Sequence, residues 1–260
     1  MLHHEISGNG KKPLVLLHGF MENTTIWNEM EAHLSKDFTL IKIDLPGHGK
    51  SKVYQEIHTV ELMAEKVKEV IEALKLEKIN LLGHSLGGYV SLAFAEKFPE
   101  ILESMTLFFS TTVADDEEKK EIRRRSIAVI DENFETFVKT SIPNLFSNNE
   151  KDILEGKIEL AKNIAKSTNK EGVKAAQLGM AERPDRTEIL ENLDAKILII
   201  AGKYDNAVKT ENLLKIIPEK TNIKTYVLDC GHNGHWEKPT ICAEIINTEL
   251  LHNLPKHFLL

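Results

Sequence analysis

The chain has 260 residues, 42% hydrophobic and 28% charged, which suits one soluble globular domain with a sizeable core. Its net charge of −7 argues against a nucleic-acid partner, which calls for a basic surface. No leader pattern opens the chain, no apolar run is long enough to cross a bilayer, and Cys230 and Cys242 form no metal-type cluster, so a cytoplasmic, reduced, membrane-free setting is expected.

Leu14 to Leu17, bounded by Pro13, and Thr39 to Ile43 read as short buried strands. Thr59 is placed to cap a helix whose apolar residues Val60, Met63, Val67, Ile71 and Leu74 recur every three or four positions. Ile79 to Leu82 is the next strand, an apolar helix begins at Leu86, and Ser104 to Phe109 is a further strand. Strands separated by helices predict an α/β fold, with a mostly parallel central sheet and helices on both faces. From about Thr111 to Leu190 the periodicity is helical. That stretch opens on a charge run, Asp115 to Arg125, read as a solvated helix in which Asp116/Lys120 and Glu121/Arg125 can pair. Pro143 and Ser147-Asn148-Asn149 mark turns. Strands return at Lys196–Ala201 and Lys224–Leu228, and a closing helix runs from about Thr240 to Leu250. The expected organisation is a core of residues 1–110 and 191–260 interrupted by a helical cap insertion, 111–190.

The most informative stretch is Gly83-His84-Ser85-Leu86-Gly87, because a strand precedes it and a helix follows. In that context Gly-x-Ser-x-Gly is a nucleophile elbow, a sharp turn that projects the serine hydroxyl from the sheet edge. A serine hydroxyl needs a base, and the base an orienting carboxylate. In this topology both follow the serine, acid first, on loops just after strands. Asp205 stands directly after the strand ending at Ala201. The segment Cys230-Gly231-His232-Asn233-Gly234-His235 follows the strand ending at Leu228. His232, nearer the strand end and freed by Gly231, is the expected base, with His235 the alternative. Cys230 is read as a packing residue. The oxyanion hole should use the amide of Leu86 and one from the loop His18-Gly19-Phe20-Met21, with Phe20 the candidate and Met21 the alternative. Each such donor is worth about 2.7–4 kcal/mol of barrier.

These residues carry a resemblance to the α/β-hydrolase fold family that runs over nearly the whole chain. The matching pieces, in family order, are Leu16–Phe20, Asp44–Ser51, Gly83–Gly88, Gly202–Asp205 and Gly231-His232 with Glu237-Lys238-Pro239. The resemblance implies a Ser85–Asp205–His232 triad, an oxyanion hole at Phe20 and Leu86, and a cap over the pocket. It makes Asp44, His48 and Ser51 structural residues. Two positions depart from it: Ala195-Lys196 and Lys209 stand where many relatives have proline. Serine at the nucleophile position sets the chain apart from the epoxide-hydrolase and haloalkane-dehalogenase branches.

The expected activity is hydrolysis of a small carboxylic-ester-type substrate through an acyl-serine, with no metal or organic cofactor required. A carbon–carbon bond hydrolase, a lactonase, a lyase or a slow-turnover ligand receptor could use the same residues. The expected partner is a small-molecule substrate, with the oligomeric state left open. Tyr89, Phe134, Phe137, Leu145, Phe146, Leu178, Met180 and Trp236 are the candidate pocket residues.

Overall fold

The computed structural model describes residues 1–34 and 36–251. Seven strands form one sheet: β1 (His4–Ser7), β2 (Lys12–Leu17), β3 (Phe38–Ile43), β4 (Ile79–His84), β5 (Leu102–Phe108), β6 (Lys196–Gly202) and β7 (Ile223–Leu228). Their order is β1-β3-β2-β4-β5-β6-β7, and every pairing is parallel except that of β1 with β3. Side chains alternate across the sheet. Val15, Leu17, Ile41, Leu81, Met105 and Ile199 enter one core cluster, while Leu14, Leu16, Leu40, Leu82 and Ile200 enter the other.

Helices α1 (Asn28–Leu34), α2 (Val60–Ala73) and α3 (Leu86–Lys97) lie in the first half of the chain. The Thr59 hydroxyl caps α2 by accepting from the Leu62 amide at 3.1 Å. Every residue of α3 from Leu86 to Ala95 is buried, as a helix wedged between the sheet and α2 must be.

Between β5 and β6 the chain is helical: α4 (Glu117–Ser141), α5 (Lys151–Ser167), α6 (Lys170–Glu182) and α7 (Glu188–Asn192). Asp116 does not pair with Lys120, as the sequence suggested. Its carboxylate caps α4 by accepting from the Lys119 amide at 2.7 Å, and Lys120 turns to Glu117 instead. Glu121 and Arg125 do pair, at 2.8 Å. Helix α4 is broken at Asn133, whose backbone is extended and whose side chain accepts from the Thr136 amide at 2.9 Å, starting a second helical segment. Helix α6 lies hard against the loop before α2. The His58 amide donates to the Ala175 carbonyl at 3.0 Å, and a Cβ on Gly179 would overlap the His58 carbonyl.

The chain closes with α8 (Thr210–Lys215), the short α9 (Gly234–Glu237) and α10 (Pro239–Leu251), which packs on α1. Among the described residues no helix is long and apolar enough to cross a membrane.

Candidate active site

The site assembles where β2, β4, β6 and β7 end, the edge at which open parallel sheets bind ligands. Ser85 is the residue between β4 and α3, and its backbone lies at φ 49°, ψ −111°, a region that costs a non-glycine residue about 1–3 kcal/mol. The surroundings hold it there. Its amide donates to the Phe108 carbonyl at 3.0 Å, and its carbonyl accepts from the Ser110 hydroxyl at 2.8 Å. Gly87, two residues on, has no room for a side chain, because a Cβ would overlap the Leu17 carbonyl. The first turn of α3 therefore sits directly on the end of β2, beside the loop that carries Phe20.

Asp205 follows β6 and His232 follows β7. The Asp205 Oδ1 accepts from the amides of Ala207 at 2.7 Å and Val208 at 2.9 Å, which fixes the carboxylate. Its Oδ2 lies 2.7 Å from His232 Nδ1. An ionised carboxylate only accepts, so Nδ1 carries the proton and Nε2 is left as the basic nitrogen. Burial lowers the pKa of His232, but the charge and hydrogen bond of Asp205 outweigh it and carry the ring above its ordinary 6.5. The His232 amide donates to the Leu145 carbonyl at 2.7 Å, tying the base to the turn after α4.

Ser85 and His232 line one cavity of about 440 Å³. Of the expected oxyanion donors, Phe20 lines this cavity and Leu86 supplies the first amide of α3. Among the described residues no acceptor takes either amide. Met21 also lines the cavity, with φ 58°.

The pocket expectations divide. Tyr89, Phe137, Leu145 and Met180 line the cavity. Phe134, Phe146 and Trp236 do not. Phe146 is fully buried and stacks on Trp236 with centroids 6.0 Å apart, and Phe134 packs on that same core cluster. Leu178 faces a separate groove with Tyr54 and Ile127. Aromatic rings at the base of a helical layer gain more from each other than from a solvated cavity. His235, the alternative base, is fully buried among Trp27, His84, Phe108 and Trp236 and does not line the cavity.

Two sets of residues escaped the sequence reading. The first is a buried pair behind the nucleophile. Glu22 Oε2 accepts from the Gly19 amide at 2.6 Å and lies 2.8 Å from His84 Nδ1, while His84 Nε2 lies 3.0 Å from the His232 carbonyl. Both ring nitrogens of His84 face acceptors, so both donate. Glu22 is buried, yet the charge and hydrogen bond of His84, the largest of the effects opposing burial, bring its pKa from 4.5 to about 2, leaving an ionised carboxylate. This ion pair ties the Phe20 loop, the serine turn and the His232 loop together. With His235 it forms the described group whose donor atoms converge within 4.8 Å, as a metal site would require. The His84 nitrogens are already committed to Glu22 and the His232 carbonyl, so the donor set fits an ion pair better than a cation.

The second set is polar and comes from α4. Lys119, Ile122, Arg123 and Ser126 lie at helical spacing and all line the cavity, so the charge run is not wholly a solvated face. The Asp44 loop is structural in its contacts, its buried carboxylate accepting from the amides of Thr24 at 2.8 Å and Lys50 at 2.9 Å.

A family model described as alpha/beta hydrolase fold matches residues 12–239, and the chain belongs to that family. Among solved structures it is similar to a thermophilic esterase from Thermogutta terrifontis, determined with malate bound. That pair shares 33% identity and a TM-score of 0.90, covering 96% of this chain and 93% of the esterase. The 2-hydroxy-6-oxononadienedioate/2-hydroxy-6-oxononatrienedioate hydrolase of Escherichia coli is 26% identical over 252 residues, 91% of this chain and 86% of the enzyme. An uncharacterized protein of Mycobacterium tuberculosis is 35% identical over 111 residues, 43% of this chain and 32% of the relative, so the match spans about a third of that protein.

Proposed function

We propose that the protein is a serine hydrolase that cleaves a small carboxylic ester through an acyl-serine. The observation that carries this reading is the 2.7 Å contact of Asp205 with a His232 ring that lines the same cavity as the strained Ser85. His232 Nε2 takes the Ser85 proton as Oγ attacks the carbonyl carbon. The resulting oxyanion is held by the Phe20 and Leu86 amides. The alcohol leaves with the proton from His232, and a water deprotonated by the same nitrogen releases the acid. Helices α4 to α6 serve as the cap that shapes the pocket. An esterase relative at 33% identity supports the ester class. The Escherichia coli hydrolase supports a second reading, a carbon–carbon bond hydrolase built on the same triad.

The test is steady-state hydrolysis of p-nitrophenyl esters of increasing acyl length by the wild type and Ser85→Ala. Turnover should vanish in the variant while its circular dichroism stays unchanged. Undiminished activity in Ser85→Ala would overturn the assignment. Turnover of a vinylogous 1,5-diketone in place of any ester would select the carbon–carbon reading.

A further inference from the structure

The catalytic cavity has a charge opposite to that of the molecule around it. The chain carries a net −7, yet the cavity wall presents Lys119, Arg123 and Lys209. The single carboxylate on that wall, among the described residues, is Glu22, which is already paired with His84. Among the described residues neither Lys119 nor Lys209 has a carboxylate within 4.0 Å, and the Lys119 ammonium reaches only the Ala207 carbonyl, at 3.3 Å. Arg123 is held by Asp115, by Gln177 and, through the same Nη1 as Gln177, by the Met180 sulfur at 3.5 Å. Its Nε contacts Asp115, and its Nη1 donates to the buried Gln177 at 3.1 Å. Asp115 is shared with Arg183, whose Nη2 lies 2.9 Å away, so one carboxylate serves two guanidiniums and leaves a positive charge in excess. The Arg183 guanidinium is stacked 3.9 Å from the Tyr89 ring, which fixes the far side of the arrangement. Among the described residues no acceptor takes Arg123 Nη2.

A guanidinium oriented on two sides with a donor to spare, flanked by two ammonium groups in a cavity, is the donor set that recognises a carboxylate. We propose that the substrate carries a carboxylate remote from the bond that is cleaved, and that Arg123, with Lys119 and Lys209, receives it. The enzyme is then selective for half-esters of short dicarboxylic acids over neutral esters of the same length. The side chains of Tyr89, Phe137, Leu145 and Met180 pack the carbon chain between the two ends. Lys209, four residues after Asp205, brings its cation to the cavity from the loop that holds the acid.

This inference rests on the serine-hydrolase reading, and the experiment keeps the two apart. Monoethyl succinate and ethyl butyrate, matched in length, are compared at constant ionic strength with the wild type, Arg123→Gln, Arg123→Lys and Lys119→Gln. Succinate binding to each protein is measured alongside by calorimetry. The wild type should favour the half-ester by about tenfold in kcat/KM, the effect of one well-placed charge-assisted contact. Arg123→Gln should bring that ratio down towards one and weaken succinate binding by a similar factor. Arg123→Lys should restore part of both, and Lys119→Gln should lower the ratio by less. In Arg123→Gln, Asp115 keeps its pair with Arg183, so the variant should fold, which circular dichroism checks. A wild-type ratio at or below one, or a ratio and a succinate affinity that Arg123→Gln leaves unmoved, overturns the proposal. Succinate binding that depends on Arg123, with neither ester turned over, supports the carboxylate site while overturning the hydrolase reading.

Discussion

Ser85, His232 and Glu22 each have a chemical state that the fold imposes. Because Asp205 holds the His232 pKa above 6.5, kcat/KM should rise with pH along an acid limb whose midpoint lies above 6.5. A midpoint clearly below 6.5 would mean that another group limits the reaction. His232→Ala should lose nearly all activity, whereas His235→Ala, away from the cavity, should lose stability more than turnover. Glu22 is lowered to about 2 from 4.5, so its contribution to stability is present above pH 4.5 and is lost as pH falls towards 2. The shift corresponds to roughly 3 kcal/mol. Removing the carboxylate in Glu22→Ala leaves the buried Nδ1 of His84 and the Gly19 amide without their acceptor, which should cost about 2–5 kcal/mol in urea unfolding at pH 7. A loss under about 1 kcal/mol would show that the pair does not hold these loops.

At the scale of elements, the seam between α6 and the loop before α2 invites a direct test. Gly179→Ala forces a methyl group against the His58 carbonyl, so α6 must lift. We expect a destabilisation of about 1–3 kcal/mol, together with a raised KM because Gln177 and Met180 on the same helix line the cavity. An unchanged KM would show that α6 does not set the pocket. The strands β2 to β6 were readable in the sequence as short, largely apolar runs between turn residues, and the edge strand β7 through the extended-backbone preference of Thr225, Tyr226 and Val227. Strand β1 was not, since His4-Glu5-Ile6-Ser7 is a polar edge strand paired on one side only. Helices α1, α8 and α9 were too short to show a period. The serine turn and the residues after β6 and β7 were legible because the fold fixes their order and their place at strand ends. The Glu22–His84 pair was not: sixty-two positions separate the two residues, and only the assembled sheet brings them together. The inward turn of Lys119 and Arg123 escaped for a related reason. A charged helix face declares its period in sequence, but not which side meets a cavity.

Over the whole molecule, buried neutral histidines oppose acid. His48 is pushed down to about 3 by burial and by neighbouring imidazoles, and His235 is lowered well below 6.5 by burial. The unfolded chain therefore binds more protons below pH 6.5. Stability is full above that value and falls as pH drops towards 3, by up to roughly 1.4 kcal/mol per pH unit for each group. His232 acts in the opposite sense. Its contribution is full below pH 6.5 and is lost as pH rises through its raised value. His18 and His58 are lowered by burial as well, so four depressed rings stand against one raised, and the urea midpoint should be lower at pH 5 than at pH 7. Equal midpoints would mean that these rings take up protons without unfolding. The helices between β5 and β6 bear on how that unfolding proceeds. Ala176 and Met180 of α6 belong to the core cluster on one face of the sheet, while Ile130 and Val138 of α4 and Leu154 and Ile158 of α5 belong to the other. What interrupts the sheet in sequence thus completes it thermodynamically. Circular dichroism and tryptophan fluorescence, which sees Trp27 and Trp236 on the α5 side, should report one coincident transition. A chain cut down to the strands and their own helices would lose apolar cover on both faces at once, so cooperativity, rather than chain order, marks the boundary of this domain.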